Sequence, residues 1–360
     1  MKKVMVAMSG GVDSSAALVV LKDNYELIGV TLKLHDGEYE QEGLKTCCSL
    51  SDIEDAAQVA ARFDVKHYVY NFKELFNEKV ITGFISSYEK GLTPNPCIDC
   101  NRYIKFEGLL ERAVSLGCDY IATGHYARVE FDEERGRWLL KKANSNDGEN
   151  DKDQSYVLYN LTQDQLSHIL FPLGNMKKSE VREIAEQNNL INADKPDSQD
   201  ICFVPDGDYA SFIERSTGKK YEAGDVKNIE GKVVGRHNGL INYTIGQRKG
   251  LGIAFGRPTY VIGKNVEDNS LIVGTEQELL SKSLIADDLN WISIESLTEP
   301  ILCRAKTRYR MQEQPCVVYP EPDGRVYVEF NEPQRAITPG QRVVFYDGDI
   351  VIGGGVIVSN

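Results

Sequence analysis

The stretch "KKVMVAMSGGVDSSAALVVL" (residues 2–21) decides the fold of this chain. Its first part is a short apolar run with the length of a buried strand, and its last part, opened by Asp13 or Ser14, has the composition of a helix. The loop "SGGVDSS" (residues 9–15) separates the two parts. Because "YELIGVTLKL" (residues 25–34) predicts another strand, the chain begins with a strand, a loop, a helix and a second strand.

The same helix-then-strand order recurs further along the chain. "DIEDAAQVAARF" precedes "KHYVYNF", and "FEGLLERAVSLG" precedes "DYIATGHYA". Such alternation predicts an α/β fold with a doubly wound, mostly parallel sheet and helices on both faces. Since ligands bind at the carboxyl ends of the strands in such sheets, we expect the loops after residues 8, 34 and 123 to converge.

The pattern changes near residue 206. Before it, "RVEFDEERGRWLLKKA" predicts a hairpin, the polar stretch "NSNDGENDKDQ" a loop that is mobile in the free protein, and "KSEVREIAEQNNL" a helix. After it, short strands punctuated by glycine run to about residue 280, and closely spaced strands fill the rest. We therefore predict three domains: residues 1–205, a small central mostly-β domain at 206–281, and a C-terminal β-barrel at 282–360.

Composition limits the class of protein. The 360 residues carry a formal net charge of −13, which argues against a surface built for nonspecific nucleic-acid binding but leaves room for a local basic patch. Eight cysteines are too few for a disulfide scaffold, so we expect free thiols, metal ligands or catalysts. The sequence has no apolar run long enough for a membrane span and no signal peptide, so we expect a cytoplasmic protein.

The glycine loop has the features of a phosphate site. Backbone N–H groups between a strand and the positive end of a helix can hold phosphate oxygens. The loop is neither a Walker A sequence nor GxGxxG, and a pair of glycines alone would more often be a packing turn. The Asp-Ser-Ser that follows favours phosphate: Ser9, Ser14 and Ser15 can donate, and Asp13 can hold Mg²⁺ through oxygen.

This loop resembles that of the PP-loop ATP pyrophosphatases, which split ATP between its α and β phosphates and transfer AMP to a carbonyl oxygen. The resemblance implies that residues on three strand ends bind ATP, and Leu32 would lie beside the adenine. The implied ATP-binding residues are Ala7, Met8, Ser9, Gly10, Gly11, Val12, Asp13, Ser14, Ser15, Leu32 and Gly124.

Two cysteines lie in predicted loops. Cys100 belongs to "TPNPCIDCNRYIKF" (residues 93–106) and Cys202 to "DSQDICF" (residues 197–203), and each is flanked by turn-forming and polar residues. On a protein that activates oxygens with ATP, two such thiols suggest that the incoming atom is sulfur. Cys97, in the same stretch as Cys100, is considered below, and the other five cysteines are given no chemical role: Cys47, Cys48, Cys118, Cys303 and Cys316.

Motifs along the whole chain resemble those of the tRNA-specific 2-thiouridylases. They include "TGHYAR", "KDQSYVLY", "PDSQDICFVPDGDY", "YTIGQRKGLGI" and "EPQRAITPGQRVVFYDGDIVIGGGVI", in addition to the glycine loop and the Cys100 motif. The resemblance implies an enzyme that adenylates O2 of the wobble uridine, position 34 of tRNAs for Lys, Glu and Gln, and replaces it with sulfur. A carbonyl oxygen is a poor leaving group, whereas an adenylated oxygen departs as AMP.

Residue roles follow from the same resemblance. Cys202 would receive a persulfide sulfur from an upstream donor protein. Cys100 would form a transient disulfide with Cys202 as sulfur is released, or would act as the nucleophile. Contacts with tRNA or its target base are implied for Asn95, Pro96, Cys97, His125, Lys152, Asp153, Gln154, Tyr309 and Gln341.

Cys97 departs from the family pattern. Many relatives have Asp at this position, proposed as a general acid or base, and a thiol transfers protons less readily at neutral pH. Cys97 could still transfer a proton, but three thiolates, Cys97, Cys100 and Cys202, would also suit a [4Fe–4S] cluster with one open iron. Zinc would need a fourth ligand, and no second CxxC is present. The persulfide route and the cluster route therefore both remain open.

The segment "CRAKTRYR" (residues 303–310) alternates strictly. On a strand it would align Arg304, Lys306, Arg308 and Arg310 over about 20 Å of one face. Solvated strand faces usually mix charges of both signs, so this segment predicts a track for tRNA phosphates.

Two other functions are compatible with parts of the sequence. The first is an ATP pyrophosphatase that makes an amide or a different thionucleoside, against which the basic segment and the paired cysteines argue. The second is a noncatalytic tRNA-binding carrier of sulfur or an Fe–S cluster. An intact pyrophosphate loop argues against a carrier, which has no use for one.

Overall fold

The computed structural model describes residues 1–35, 49–144, 152–196, 201–253 and 256–359. Cys47, Cys48 and most of the predicted mobile loop, at 145–151, lie outside these ranges, as do the four residues before Ile201. Within the described ranges, no helix is both long enough and apolar enough to cross a membrane.

A parallel sheet forms the centre of the first domain. Its strand order is β3-β2-β1-β4-β7, and the central strand is completely buried at Val4, Met5 and Val6. The strands of this domain, including an additional hairpin β5–β6, are β1 (Lys3–Ala7), β2 (Glu26–Lys33), β3 (Lys66–Asn71), β4 (Tyr120–Ala122), β5 (Ala127–Asp132), β6 (Arg137–Lys142) and β7 (Ile169–Leu170). The predicted parallel sheet and the predicted hairpin are confirmed. The chain changes direction across the sheet between β1 and β4, where such folds bind ligands.

Helices cover both faces of this sheet. The helices of the described residues are α1 (Val12–Leu21), α2 (Leu50–Arg62), α3 (Lys73–Phe76), α4 (Thr82–Glu89), α5 (Pro96–Asp99), α6 (Leu109–Ser115), α7 (Gln163–Ser167), α8 (Lys178–Gln187) and α9 (Tyr209–Thr217). Val4 and Val6 of β1 pack with α1, α2 and α8, whereas Met5 points into a second core formed with α3 to α6. The period-2 alternation of a strand thus supplies a core on each face, and the doubly wound prediction is confirmed.

Cys100 lies in a helix and not in a loop, so that expectation is wrong. α5 begins at Pro96, where a proline ring already has helical φ and its missing N–H is not needed. Asn95 precedes it, and its side chain accepts a hydrogen bond from the N–H of Cys97 at 3.2 Å. α5 continues into a nine-residue π-helical segment, Cys100–Gly108, and then into α6. A shorter π-helical segment, Asn77–Ile81, joins α3 to α4.

The central domain is a four-stranded mixed sheet of order β10-β11-β8-β9. Its strands are β8 (Gly224–Lys227), β9 (Val233–His237), β10 (Tyr260–Asn265) and β11 (Ser270–Gly274). The preceding helix α9 was missed in the sequence because it is short and follows a loop. Its start is marked by Asp208, whose side chain accepts from the N–H of Ser211 at 3.0 Å.

The C-terminal region is a closed antiparallel barrel of six strands, as predicted. They are β12 (Leu280–Trp291), β13 (Ile301–Lys306), β14 (Gln314–Pro320), β15 (Val326–Arg335), β16 (Arg342–Asp347) and β17 (Ile350–Ser359). Pairing of β12 with both β15 and β17 closes the barrel. The hairpin β5–β6 extends the same sheet through a pairing of Lys141 with Ile350, so the first domain and the barrel share a sheet.

A buried ion pair fixes the barrel beside the Cys100 helix. Arg342 of β16 is 8% exposed and donates to the Asp99 carboxylate at 3.1 Å. Burial raises the pKa of Asp99, and the positive charge of Arg342 opposes that shift. The backbone carbonyl of Arg342 also accepts from the hydroxyl of Tyr156 at 2.9 Å. Charge, hydrogen bonding and a shared apolar core therefore hold the barrel against the first domain.

Replacing Asp99 by Ala is expected to destabilise the protein by about 3 kcal/mol, because Arg342 is left buried without its counter-ion. Urea unfolding followed by circular dichroism measures the loss. Asp323→Ala, which removes the partner of the exposed Arg325, is the matched control and should leave the midpoint unchanged. The double change Asp99→Ala with Arg342→Met should recover part of the loss, and a wild-type midpoint for Asp99→Ala alone would show that the ion pair is not what holds the barrel.

Candidate active site

The glycine loop takes its shape from Gly10. This residue has φ of +72°, in the left-handed region where side chains are strained, and the first turn of α2 presses against it. A Cβ at Gly10 would lie 2.7 Å from the Cα of Asp52 and closer still to the Asp52 carbonyl oxygen. Inside the loop, the N–H of Ser9 donates to the Ser14 hydroxyl at 3.1 Å, and that hydroxyl donates to the Gly11 carbonyl at 3.0 Å.

Residues far along the chain support the loop from outside. The Asn192 side chain donates to the Gly10 carbonyl at 3.0 Å and to the Ser15 hydroxyl at 2.8 Å. Lys195 donates to the same carbonyl at 3.2 Å and forms ion pairs with Asp52 and Asp55. Burial disfavours the charged Lys195, but its hydrogen bonds to the two carboxylates outweigh burial and raise its pKa. No local motif marks Asn192 or Lys195, and the sequence analysis missed both.

Asp13 is held by two side chains that the sequence analysis also missed. Lys178, at the start of α8, donates to its two carboxylate oxygens at 2.7 and 2.8 Å. The hydroxyl of Tyr126 donates to Oδ1 at 2.7 Å. Asp13, in the first turn of α1, therefore belongs to a three-residue cluster with Lys178 and Tyr126.

The predicted ATP-binding residues lie at neighbouring strand ends. Gly124 follows β4 and touches the first turn of α1, since a Cβ there would lie 2.8 Å from the Ser14 nitrogen. The N–H of Met8 donates to the Val30 carbonyl at 2.8 Å, which keeps the start of the loop beside β2. Leu32 is 7% exposed on that strand. Ser9 is exposed, whereas Ser14 and Ser15 are buried and bonded within the protein, so Ser9 and the loop N–H groups are the accessible donors.

Mg²⁺ and a cluster differ in how well the residues suit them. Asp13 has the oxygen chemistry that Mg²⁺ prefers, and Mg²⁺ commonly takes only one or two carboxylates alongside substrate phosphates. Lys178 and Tyr126 already bond to this carboxylate, so Mg²⁺ would have to displace the Lys178 ammonium. In the part of the chain that the structure describes, no group of three or more His, Cys, Asp or Glu side chains is arranged to hold a metal ion. Cys97, Cys100 and Cys202 are all described, and they do not form such a group for a single metal ion.

The three motif cysteines differ in exposure. Cys97 is exposed, Cys202 is half-buried and Cys100 is 8% exposed. Cys100 belongs to the apolar core of the first domain, and Cys202 packs against the same core. Phe203 anchors the Cys202 segment, because its ring contacts those of Phe76 and Phe84 edge to face. Two thiols are thus attached to one core, and the third faces solvent.

His125 is a packed, neutral residue. Its Nδ1 lies 2.7 Å from the Thr123 hydroxyl, and its ring contacts those of Phe106 and Phe171, which also contact each other. Burial, with a smaller contribution from Lys105, lowers the pKa of His125 well below its ordinary value. An uncharged imidazole is therefore available here for stacking or hydrogen bonding.

The segment 152–154 makes defined contacts within the protein. Gln154 forms two hydrogen bonds with the backbone of Tyr126, each of 2.9 Å. Asp153 accepts from the N–H of Ala143 at 3.1 Å and from the Ser155 hydroxyl at 2.8 Å. Asp153 and Gln154 therefore brace neighbouring backbone, and Lys152 is half-buried beside them.

The predicted basic ladder is wrong in its geometry. β13 ends at Lys306, and Arg308 turns inward to donate to the carbonyls of Ile245 and Ala336 at 3.1 and 3.2 Å. Burial lowers the pKa of Arg308. Glu313, three residues after the end of the CRAKTRYR segment, lies 3.8 Å from Arg304 and 4.0 Å from Lys306. The structure therefore places Arg304 and Lys306 on the strand, both paired with one carboxylate.

The other predicted tRNA contacts, Tyr309, Arg310 and Gln341, belong to the C-terminal barrel region. Arg310 is exposed in a turn after β13, and the ring of Tyr309 lies 6.0 Å from that of Tyr156. Gln341 donates to the carbonyl of Thr93 at 2.8 Å, which brings the barrel to the loop before Asn95. The structure thus joins the Cys97 region to the barrel.

Family models and full-length relatives match this chain. The models are the tRNA methyl transferase HUP domain (residues 2–206), the tRNA methyl transferase PRC-barrel domain (residues 210–275) and the aminomethyltransferase beta-barrel domain (residues 281–357). The tRNA-specific 2-thiouridylase MnmA of Acetivibrio thermocellus is 52% identical over 359 residues, covering 99% of each chain. The corresponding protein of Clostridioides difficile is 50% identical over 359 residues, covering 99% of this chain and 98% of that one.

A solved structure, NMN synthetase from Francisella tularensis, is similar with a TM-score of 0.32 and 16% identity over 61% of this chain and 79% of that chain, a likeness too distant to carry an argument. The glycine loop follows the central strand of a parallel sheet, and the HUP-domain model matches this part of the chain. Together they define an ATP-using enzyme. Identity over the full length is more specific than the methyl transferase wording of the domain models. The chain belongs to the tRNA-specific 2-thiouridylase family.

Gly10→Ala is expected to lower the melting temperature and abolish ATP binding. The left-handed conformation alone costs a side chain about 1 kcal/mol, and the new Cβ would collide with Asp52. Gly11→Ala is the matched control, because Gly11 has φ of −87° and its Cβ would meet only the Ser9 hydroxyl at 3.4 Å. Thermal melts and calorimetric titration with ATP measure both. Equal melting temperatures for the two variants would contradict the role of Gly10.

Proposed function

We propose that this chain is an ATP-dependent tRNA-uridine 2-sulfurtransferase that thiolates the wobble uridine, position 34, of tRNAs for Lys, Glu and Gln. The observation that carries the proposal is 52% identity to a tRNA-specific 2-thiouridylase over 99% of both chains. The glycine loop beside Gly124 and the attachment of Cys100 and Cys202 to one core support the two chemical steps.

The first step makes the uridine carbonyl oxygen a leaving group. O2 attacks the α-phosphorus of ATP; an O–P bond forms, the bond from that phosphorus to the bridging oxygen breaks, and pyrophosphate leaves. The loop N–H groups and the start of α1 stabilise the negative charge that develops on the pyrophosphate. Mg²⁺ held through Asp13 would supply further positive charge there.

The second step replaces the adenylated oxygen with sulfur. The terminal sulfur of a persulfide on Cys202 attacks C2; a C–S bond forms, the C2–O bond breaks, and AMP leaves with O2. The Cys100 thiolate then attacks the Cys202 sulfur and breaks its bond to the transferred sulfur, which keeps the electron pair as the thiocarbonyl. The resulting Cys100–Cys202 disulfide needs two electrons from an external thiol. An upstream persulfide donor then reloads Cys202.

The tRNA would lie across the barrel junction. Arg310 is exposed, and Arg304 has half of its side chain exposed, so both can reach phosphates, whereas Arg308 is committed to protein carbonyls. We infer a smaller cationic contact than the four-residue ladder. Gln341 and Asn95 flank the start of the Cys97 helix, where a flipped-out base could approach Cys100.

Cys100→Ser and Cys202→Ser are expected to separate the two steps. Both variants should still release pyrophosphate when unmodified tRNA and ATP are present, whereas thiolation should fall by about 100-fold or more. Cys100→Ser loaded with persulfide should accumulate a tRNA–protein adduct that dithiothreitol cleaves, because the thiol that resolves the adduct is missing. Cys118→Ala, a buried cysteine outside the mechanism, is the control. If wild-type protein binds tRNA but releases no pyrophosphate, the catalytic function is wrong and the noncatalytic tRNA-binding carrier is the remaining hypothesis.

Cys97→Ser is expected to keep most of the thiolation activity, because Cys97 is exposed, whereas the two thiols that the persulfide route uses, Cys100 and Cys202, pack on one core. Wild-type protein purified without oxygen and treated with iron and sulfide should show no absorbance of a [4Fe–4S] cluster at about 400 nm. A stable cluster in the wild type that Cys97→Ser removes together with activity would support the cluster route instead. Cys97→Asp tests whether the family's carboxylate increases the rate.

A further inference from the structure

Tyr126 connects two regions that the proposed reaction uses for different ligands. On one side its hydroxyl donates to Oδ1 of Asp13 in the glycine loop at 2.7 Å. On the other side its backbone is bonded to Gln154, in the segment assigned to tRNA. Tyr126 is 2% exposed, so its ring is enclosed and has little room to move independently of its neighbours.

The connection to Gln154 is fixed at two atoms. The N–H of Tyr126 donates to Oε1 of Gln154, and the N–H of Gln154 donates to the carbonyl of Tyr126, both at 2.9 Å. Such reciprocal bonding ties one residue to the other in both position and orientation. A displacement of Gln154 by a bound tRNA would therefore also displace the backbone of Tyr126.

The connection to Asp13 is equally constrained. Gly124 lies against the backbone of Asp13 and Ser14, so the chain between β4 and Tyr126 has no slack. Lys178 also donates to both oxygens of Asp13, and its ammonium lies 6.0 Å from the centre of the Tyr126 ring. The Tyr126 hydroxyl therefore helps to set the orientation of the carboxylate within the ATP loop.

The segment after Gln154 also contacts the other parts of the site. The Asn101 side chain, next to Cys100, donates to the Val157 carbonyl at 2.9 Å, and the Tyr156 hydroxyl donates to the carbonyl of Arg342 in the barrel at 2.9 Å. A tRNA bound to this segment could therefore shift the ATP loop, the helix that carries Cys100 and the barrel, because hydrogen bonds join the segment to all three.

We propose that Tyr126 is a positioning residue through which tRNA bound at Gln154 orients Asp13 and so strengthens ATP binding. This inference rests on the proposed function, because it takes tRNA as the ligand at Gln154. Coupling between two binding sites is reciprocal: the factor by which tRNA tightens ATP binding equals the factor by which ATP tightens tRNA binding. Loss of the Tyr126 hydroxyl should reduce both factors equally.

The test uses the full-length protein, unmodified tRNA and the α,β-methylene analogue of ATP, which binds without reacting. Affinity for the analogue is measured with and without saturating tRNA, and affinity for tRNA with and without the analogue. In the wild type we expect a coupling factor of about tenfold in both directions. In Tyr126→Phe it should fall to about one, while a merely structural defect would weaken both affinities and leave their ratio unchanged.

Two further variants sharpen the result. Tyr243→Phe is the matched control, because Tyr243 is 4% exposed and its hydroxyl accepts from the N–H of Asn238 in the central domain, away from the loop. It should keep the wild-type factor. Gln154→Ala removes one of the two bonds to Tyr126 and should lower the factor, and the double variant with Tyr126→Phe should have the factor of Tyr126→Phe alone, because both changes act on the same connection.

The outcomes separate this inference from the proposed function. Wild-type coupling that persists in Tyr126→Phe overturns the inference. So does a wild-type factor of one alongside intact tRNA-dependent pyrophosphate release. Coupling that Tyr126→Phe removes, in a protein that releases no pyrophosphate, supports the connection and overturns the proposed catalysis.

Discussion

Close contact between the backbone of Gly10 and the first turn of α2 is the constraint on which the rest of the site depends. Gly10 can meet Asp52 only because it has no side chain, and its carbonyl then points to Asn192 and Lys195. Once the loop is fixed in this way, α1 starts at a defined place, and Asp13 meets Lys178 of α8 and Tyr126, which lies between β4 and β5. A loop whose function is to present N–H groups to phosphates is thus rigid before any ligand arrives.

A second layer of organisation comes from the way the barrel is attached. Arg342 of the barrel pairs with Asp99, the residue directly before Cys100. The carbonyl of the same arginine accepts a hydrogen bond from the Tyr156 hydroxyl. The same apolar core includes residues of the parallel sheet and of the barrel. Under the proposed function, RNA contacts on the barrel would therefore be fixed in position relative to the two thiols, and the barrel would help to set the distance between base and sulfur.

Local periodicity predicted the parallel sheet, the hairpin and the closed barrel, because period-2 strands and amphipathic helices record burial in the sequence itself. Contacts across more than a hundred residues leave no such record, so Lys178 and Tyr126 were not identified beside Asp13. The basic segment misled for a related reason: Glu313 lies just outside it, and Arg308 finds protein carbonyls that no alternation reveals. The helix at Cys100 was missed because prolines near a helix start look like a turn. The resemblance to a family supplied the chemistry that periodicity could not.

The π-helical segment that begins at Cys100 sets the angular phase of the thiol. Hydrogen bonds from i to i+5 place about one more residue in each turn than an α-helix does, so this segment is wound differently from α6, which follows it. Losing one residue from this segment while its winding is kept would rotate everything before it by roughly 80° relative to α6. The direction in which Cys100 faces therefore depends on residue count as much as on residue type. A change in length within this segment would redirect the thiol even if every motif residue were kept.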